Sequence, residues 1–176
     1  KPIGKTNLYG NNMTTQPEQV LENNLISQLV GLGHKSVKIK TEADLLSNLK
    51  SQLEKHNNTT FSDDEFNRIV IHLSKGNIFD KAHTLRDKYV LIKDNGEKSY
   101  IEFINQDFWC QNEFQVANQI TIHGKRENRY DVTLLINGLP LVQIELKKRG
   151  VEIAKAFDLF HNQRDKSELF LSQYHL

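Results

Sequence analysis

Several things are scarce in this sequence, and each scarcity excludes a class of protein. Cys110 is the one cysteine among 176 residues, so neither an internal disulfide framework nor a cysteine-ligated zinc site can form, and a lone thiol fits a reducing compartment. None of the seven histidines stands at helical or finger-like metal spacing, so no structural zinc is expected. No apolar stretch approaches the length of a membrane span, and the N-terminus lacks the apolar core of a signal peptide. The expected location is therefore cytoplasmic, with no membrane partner. Charge of one sign is also missing. Lys plus Arg number 23 against 22 Asp plus Glu, a formal net charge of +1, so no global basic field points to nucleic acid and any such attraction must be local. The chain opens on Lys1 and has Met13 as its single methionine, which suggests a portion of something longer.

What is present is 38% hydrophobic and 26% charged residues, the profile of one soluble globular domain that buries roughly two-thirds of its surface. Residues 1–14, rich in Asn, Gly and Lys, have no apolar period and read as an N-terminal arm. A helix follows, with Thr15 as N-cap, Glu18 three positions on and Pro17 in the first turn. Its apolar face is Leu21, Leu25, Ile26, Leu29 and Val30, and Gly31 and Gly33 end it. "SVKIK" alternates as a short strand. "TEADLLSNLKSQLEKH" and "SDDEFNRIVIHLSKG" each begin with a cap-like residue, Thr41 and Ser62, and carry apolar residues at helical spacing. From about residue 87 the period changes. "KYVLI" and "KSYIEFI" flank an Asn-Gly pair, a strong hairpin signal. "FWCQNEF" is ambiguous, though Trp109 and the phenylalanines around it read as core rather than as a base-stacking platform. "FQVANQITI" reads as a strand, "GKREN" as a basic loop, and "VEIAKAFDLFHNQ" as a helix. The expected fold class is α/β (α+β), a mixed central β-sheet flanked by helices. Residues 165–176 have no assignment.

The chemistry concentrates in "NRYDVTLLINGLPLVQIELKKRG", residues 128–150. Side chains alternate along a strand, so Glu145 and Lys147 point the same way, opposite to Val142, Ile144 and Leu146. Whether Asp131 joins them depends on the turn. A two-residue loop at Asn137-Gly138 pairs Asp131 with Ile144, on the wrong face. A three-residue loop pairs Asp131 with Gln143 and leaves Glu145 its diagonal neighbour, roughly 7–8 Å away. The pattern thus demands an odd loop or a bulge. If that demand is met, Asp131 and Glu145 are a ligand pair for magnesium, which takes hard oxygen donors and needs only one or two carboxylates. Lys147 would orient water and counter charge in the transition state, and Gln143 on the same face is an accessory contact. Lys125, Arg126, Arg129, Lys148 and Arg149 lie close by in sequence and suit phosphate contacts. Taken by itself, the pattern is weak, since charged residues on a strand usually form a solvated face.

The run "NRYDVTLLINGLPLVQIELKKRGVEIAKAF" closely resembles the N-terminal nuclease domain of the restriction (motor) subunits of type I restriction-modification enzymes, members of the PD-(D/E)xK nuclease superfamily. "LENNLISQLVGLGH" is similar to that family's first helix. The resemblance implies a restriction-endonuclease-like PD-(D/E)xK fold over residues 15–164, with Asp131 and Glu145 binding Mg2+, Lys147 as catalytic lysine and Glu22 completing the acidic cluster. It further implies double-stranded DNA as substrate, and methylation and specificity subunits as partners that supply sequence recognition.

Two departures stand out. Where the family continues into a Gln-x-x-x-Tyr motif, this chain has Leu159 and Gln163. No G-x-x-x-x-G-K-[ST] loop is present either, since "GLGHKS" at 31–36 has the wrong spacing and suits a helix end. ATP is thus implied only for motor domains that this sequence lacks. The alternatives are a nuclease-like fold kept as a non-catalytic DNA-binding or docking module, and a different nuclease of the superfamily.

Overall fold

The computed structural model describes residues 17–123 and 127–146. Helix α1 (Glu18–Gly31) is followed by a short strand β1 (Lys35–Ser36), then α2 (Glu42–Asn57), α3 (Asp63–Ser74) and α4 (Ile78–Arg86). Strands β2 (Tyr89–Ile92) and β3 (Lys98–Ile101) form an antiparallel hairpin. Strands β4 (Phe114–His123), β5 (Glu127–Ile136) and β6 (Leu139–Ile144) join β1 in a four-stranded sheet of order β1-β4-β5-β6. β1 runs parallel to β4 and the other pairs are antiparallel, so the central sheet is mixed, as expected from the sequence. The expected helix at 151–163 lies outside the described residues.

Helix starts are written in side chains that satisfy the exposed first-turn N–H groups. Thr41 with Asp44, and Ser62 with Glu65, form reciprocal capping boxes. Asn77 with Asp80 does the same for α4, a helix the periodicity reading passed over because its nine residues hold too few apolar positions to show a face. α1 departs from expectation in one detail: Pro17 occupies the N-cap position and gives no side-chain cap, so the helix starts after the proline. The "SVKIK" strand is shorter than expected. Only Lys35 and Ser36 pair with β4, while Val37 and Lys40 add isolated backbone bonds to Val116 and Thr121.

α2 is the spine of the domain. Leu45 packs with Ile39 and with Ala117 and Leu135 of the sheet, whereas Leu49 and Leu53, further along the same face, pack with Ile69, Leu73, Leu91, Phe103 and Leu139. One helix therefore joins the sheet to α3 and the β2–β3 hairpin. Trp109 does not enter either cluster. It sits in a 3-10 turn (Trp109–Gln111) at the rim, 54% exposed, and Phe108 beside it is 60% exposed. A three-residue turn offers no inward face to bury a ring. Trp109 instead borders an open apolar hollow with Leu85, Ile104 and Leu141.

The β5–β6 turn is locked from both sides. Asn137 (φ 49°) and Gly138 (φ 81°) are both left-handed, the conformation of a two-residue turn that follows the twist of its strands. The buried Asn137 amide donates to Phe103 O at 2.9 Å and to Asn112 Oδ1 at 2.8 Å. Its Oδ1 accepts from Glu113 N at 2.8 Å. Gly138 lies against α2 so closely that a Cβ there would stand 2.8 Å from Leu49 Cα. Gly138→Ala must therefore strain the backbone and push on the helix, and is expected to cost about 1–3 kcal/mol in urea denaturation. A loss below about 0.5 kcal/mol would mean that the turn is not seated on α2.

Candidate active site

Along β5, Asp131, Thr133 and Leu135 share one face by simple alternation. What they meet on β6 is set by the pairing. Near the turn Ile136 faces Leu139 and Leu135 faces Pro140, but Leu134 then faces Val142 and Thr133 faces Gln143. Leu141 is the extra residue, a β-bulge that advances β6 by one position. The structure thus keeps the two-residue loop and takes the bulge, not the three-residue loop, to satisfy the demand in the sequence. Val132 faces Ile144, the last pair of the ladder, and one further step of the same register would bring Glu145 opposite Asp131 and not diagonal to it. Leu146 N donates to Asp131 Oδ2 at 2.8 Å, which ties the Asp131 carboxylate to the segment carrying Glu145.

Gln143, on the same face as Glu145, has a buried Nε2 with no hydrogen-bond partner among the described residues. An unmet N–H donor on this face suits an anionic or water ligand. Arg129 is exposed and alternates onto the same face of β5 as Asp131. Lys125, Arg126, Lys147, Lys148 and Arg149 lie outside the described residues. Among the described residues no three His, Cys, Asp or Glu side chains converge tightly enough to hold a metal, so Glu22 is not gathered into one cluster with Asp131 and Glu145. Two carboxylates are hard oxygen donors of the kind a divalent cation takes, with water able to fill its remaining positions.

Glu22 is placed differently from the sequence expectation of an acidic cluster. It is neither a solvated surface residue nor a member of a three-carboxylate cluster. It is 5% exposed, the buried residue of α1. Its Oε1 accepts from Asn118 Nδ2 at 3.0 Å, and its Oε2 accepts from Gln119 Nε2 at 3.2 Å. Because Asn118 faces Val132 and Ile120 faces Tyr130, Gln119 stands across from Asp131 on the other side of β5 from Glu145. Gln119 has φ 53° inside a strand, a conformation that costs a non-glycine residue about 1–3 kcal/mol. Asn118 and Gln119 were not among the sequence candidates. Their signal was available, since two adjacent carboxamides interrupt the apolar alternation of "QVANQITI", but nothing in the spacing alone says what they touch.

A mixed four-stranded sheet flanked by helices is the architecture of an α+β nuclease-like fold. The chain belongs to the family of the type I restriction enzyme R protein N terminus, whose pattern matches residues 15–174. That match extends to residue 174, into the segment to which the sequence reading gave no assignment. Among curated proteins, the type I restriction enzyme SsaAORF53P endonuclease subunit of Staphylococcus saprophyticus is 41% identical over 167 residues, covering 92% of this chain and 18% of that protein. The SauCOLORF180P endonuclease subunit of Staphylococcus aureus is 40% identical with the same coverage. The EcoprrI endonuclease subunit of Escherichia coli is 37% identical over 158 residues, 86% of this chain and 50% of that protein. The chain thus spans less than a fifth of the length of the staphylococcal relatives.

The Asp131–Leu146 bond separates shape from charge at this position. Asp131→Asn keeps an acceptor for Leu146 N and is expected to stay within about 1 kcal/mol of the unaltered chain. Asp131→Ala strands that partly buried N–H and is expected to lose about 1–3 kcal/mol. Equal stabilities for the two variants in denaturant titration would show that the bond is not made.

Proposed function

We propose that this chain is the DNA-cutting domain of a type I restriction subunit, hydrolysing phosphodiester bonds of double-stranded DNA with Mg2+. The observation that supports the reading is the bulge-set register, which pairs Thr133 with Gln143 and Val132 with Ile144 and so, continued by one step, would bring Glu145 to Asp131, two residues ahead of Lys147. Bound Mg2+ would supply neutralisation of phosphate charge and a water of lowered pKa. Asp131 and Glu145 would hold it as hard oxygen donors, with Leu146 N fixing the Asp131 carboxylate. Lys147 would orient the attacking water and offset negative charge as it grows on the phosphate. Gln143 can give its N–H to a phosphate oxygen or a water at the same spot. Arg129, with Lys125, Arg126, Lys148 and Arg149, would grip the backbone without reading bases, since phosphate contacts carry register and not sequence.

Sequence choice would then fall to the methylation and specificity subunits, and ATP-driven movement to the remainder of the subunit. The staphylococcal relatives, of which this chain covers 18%, have ample length for such a motor. Residues 15–164 would form the nuclease domain, working in the cytoplasm. No helix among the described residues is long and apolar enough to cross a membrane.

The test is cleavage of double-stranded DNA by the intact restriction complex with Mg2+ and ATP. Asp131→Asn and Lys147→Ala are each expected to lower the cutting rate at least about 100-fold while DNA binding and ATP hydrolysis persist. Normal cutting by both variants would show the site to be misassigned. DNA bound but left whole by the unaltered complex would favour the non-catalytic module instead.

A further inference from the structure

Exposed apolar side chains gather around one concavity. α4, the segment after β3 and the β5–β6 hairpin enclose an open hollow of ≈ 390 Å3. Its walls are Ala82, Leu85, Ile104, Trp109, Leu141 and Val142. Trp109 faces it from the rim with Phe108 as its neighbour in sequence, and Val142 is 40% exposed. Phe79, 77% exposed, precedes Ala82 and Arg86 by three and seven positions and so shares their side of α4. Single apolar residues in water are ordinary, but several around one dry concavity mark a contact surface. Arg86 stands at the lip. It is exposed, its Nε donates to Ala82 O at 3.3 Å, and among the described residues it is in no ion pair.

We propose that this hollow seats an apolar side chain, flanked by an acidic one that meets Arg86, from the portion of the same subunit that follows residue 176. Length favours that occupant. The chain covers 18% of each staphylococcal relative and matches the pattern of an N terminus, so the bulk of such a subunit lies beyond it. Size favours it too. A stable interface between separate chains engages roughly 20–30 residues a side, more than line or rim this hollow. A smaller contact suffices between parts of one polypeptide, because the covalent link keeps the second part at high effective concentration. The contact falls on Leu141, the bulged residue, so the rest of the subunit would press on the element that sets the register of β6 against β5. None of this depends on which residues hold a metal, so it stands or falls separately from the cutting chemistry.

The test is photo-cross-linking in the full-length subunit, alone and assembled with its partner subunits. The photo-reactive benzoylphenylalanine replaces Phe79, a position exposed enough to accept it without disturbing the fold. Irradiation is expected to join residue 79 to a peptide from beyond residue 176 of the same polypeptide, read by mass spectrometry. Ala82→Phe plugs the hollow from its α4 wall, into space already open. Overpacking of this kind is expected to lower the yield of that cross-link about 10-fold, with the melting temperature of the subunit showing that it remains folded. A cross-link to residues 1–176, to a second copy or to a partner subunit would overturn the proposal. So would the absence of any cross-link in the assembled complex, or a yield that Ala82→Phe leaves unchanged.

Discussion

Because side chains alternate along a strand, one residue of slip between β5 and β6 exchanges every group that Asp131 can meet. The turn at Asn137-Gly138 taken alone would set the wrong register, pairing Asp131 with apolar Ile144. The bulge at Leu141 corrects it, so that Thr133 faces Gln143 and the polar face of β6 arrives beside Asp131. The rest of the site inherits its geometry from that single extra residue. A bulge next to a functional position is a recurring device for re-aiming a side chain, and here the turn fixes one end of the hairpin while the bulge resets the other.

The register holds because the hairpin tip cannot move. Asn137 is bonded to the segment that follows β3 and to the residue that precedes β4, through Phe103 O and Glu113 N, and Gly138 rests on the α2 backbone. α2 in turn spans both apolar clusters. Nearby, Glu113 is paired with Lys35 and Lys55. Burial pushes its carboxyl up, but the two ammonium groups outweigh this and hold it below its ordinary value. The tip is thus braced by packing, amide bonds and charge, while the strand positions further from the turn carry the groups suited to chemistry.

Much of this was legible in the sequence because its causes are local. Thr41 and Ser62 announce α2 and α3 by capping, the "KDNGE" turn marks the β2–β3 hairpin, and the requirement for an odd loop or a bulge follows from strand alternation alone. The choice of the bulge was not legible, since both solutions use the same residues and tertiary contacts with α2 decide between them. α4 was missed for want of apolar period, although its Asn77–Asp80 cap was in plain view. Trp109 was misjudged because a large ring was assumed to bury itself, whereas its turn lies on the rim. The bonds from Asn118 and Gln119 to Glu22 join positions nearly a hundred residues apart, beyond the reach of any local pattern.

The most direct check of the central claim is oxidative cross-linking across the two strands, in a Cys110→Ser background. Directly opposed residues have Cα atoms roughly 4.5–5.5 Å apart, within the range a disulfide spans. Asp131→Cys with Glu145→Cys should form a disulfide under mild oxidation, seen by peptide mapping without reductant, and Asp131→Cys with Ile144→Cys should not. The reverse result, residue 131 joined to 144 and not to 145, would mean that β6 runs without its bulge and that the two carboxylates lie on opposite faces of the sheet.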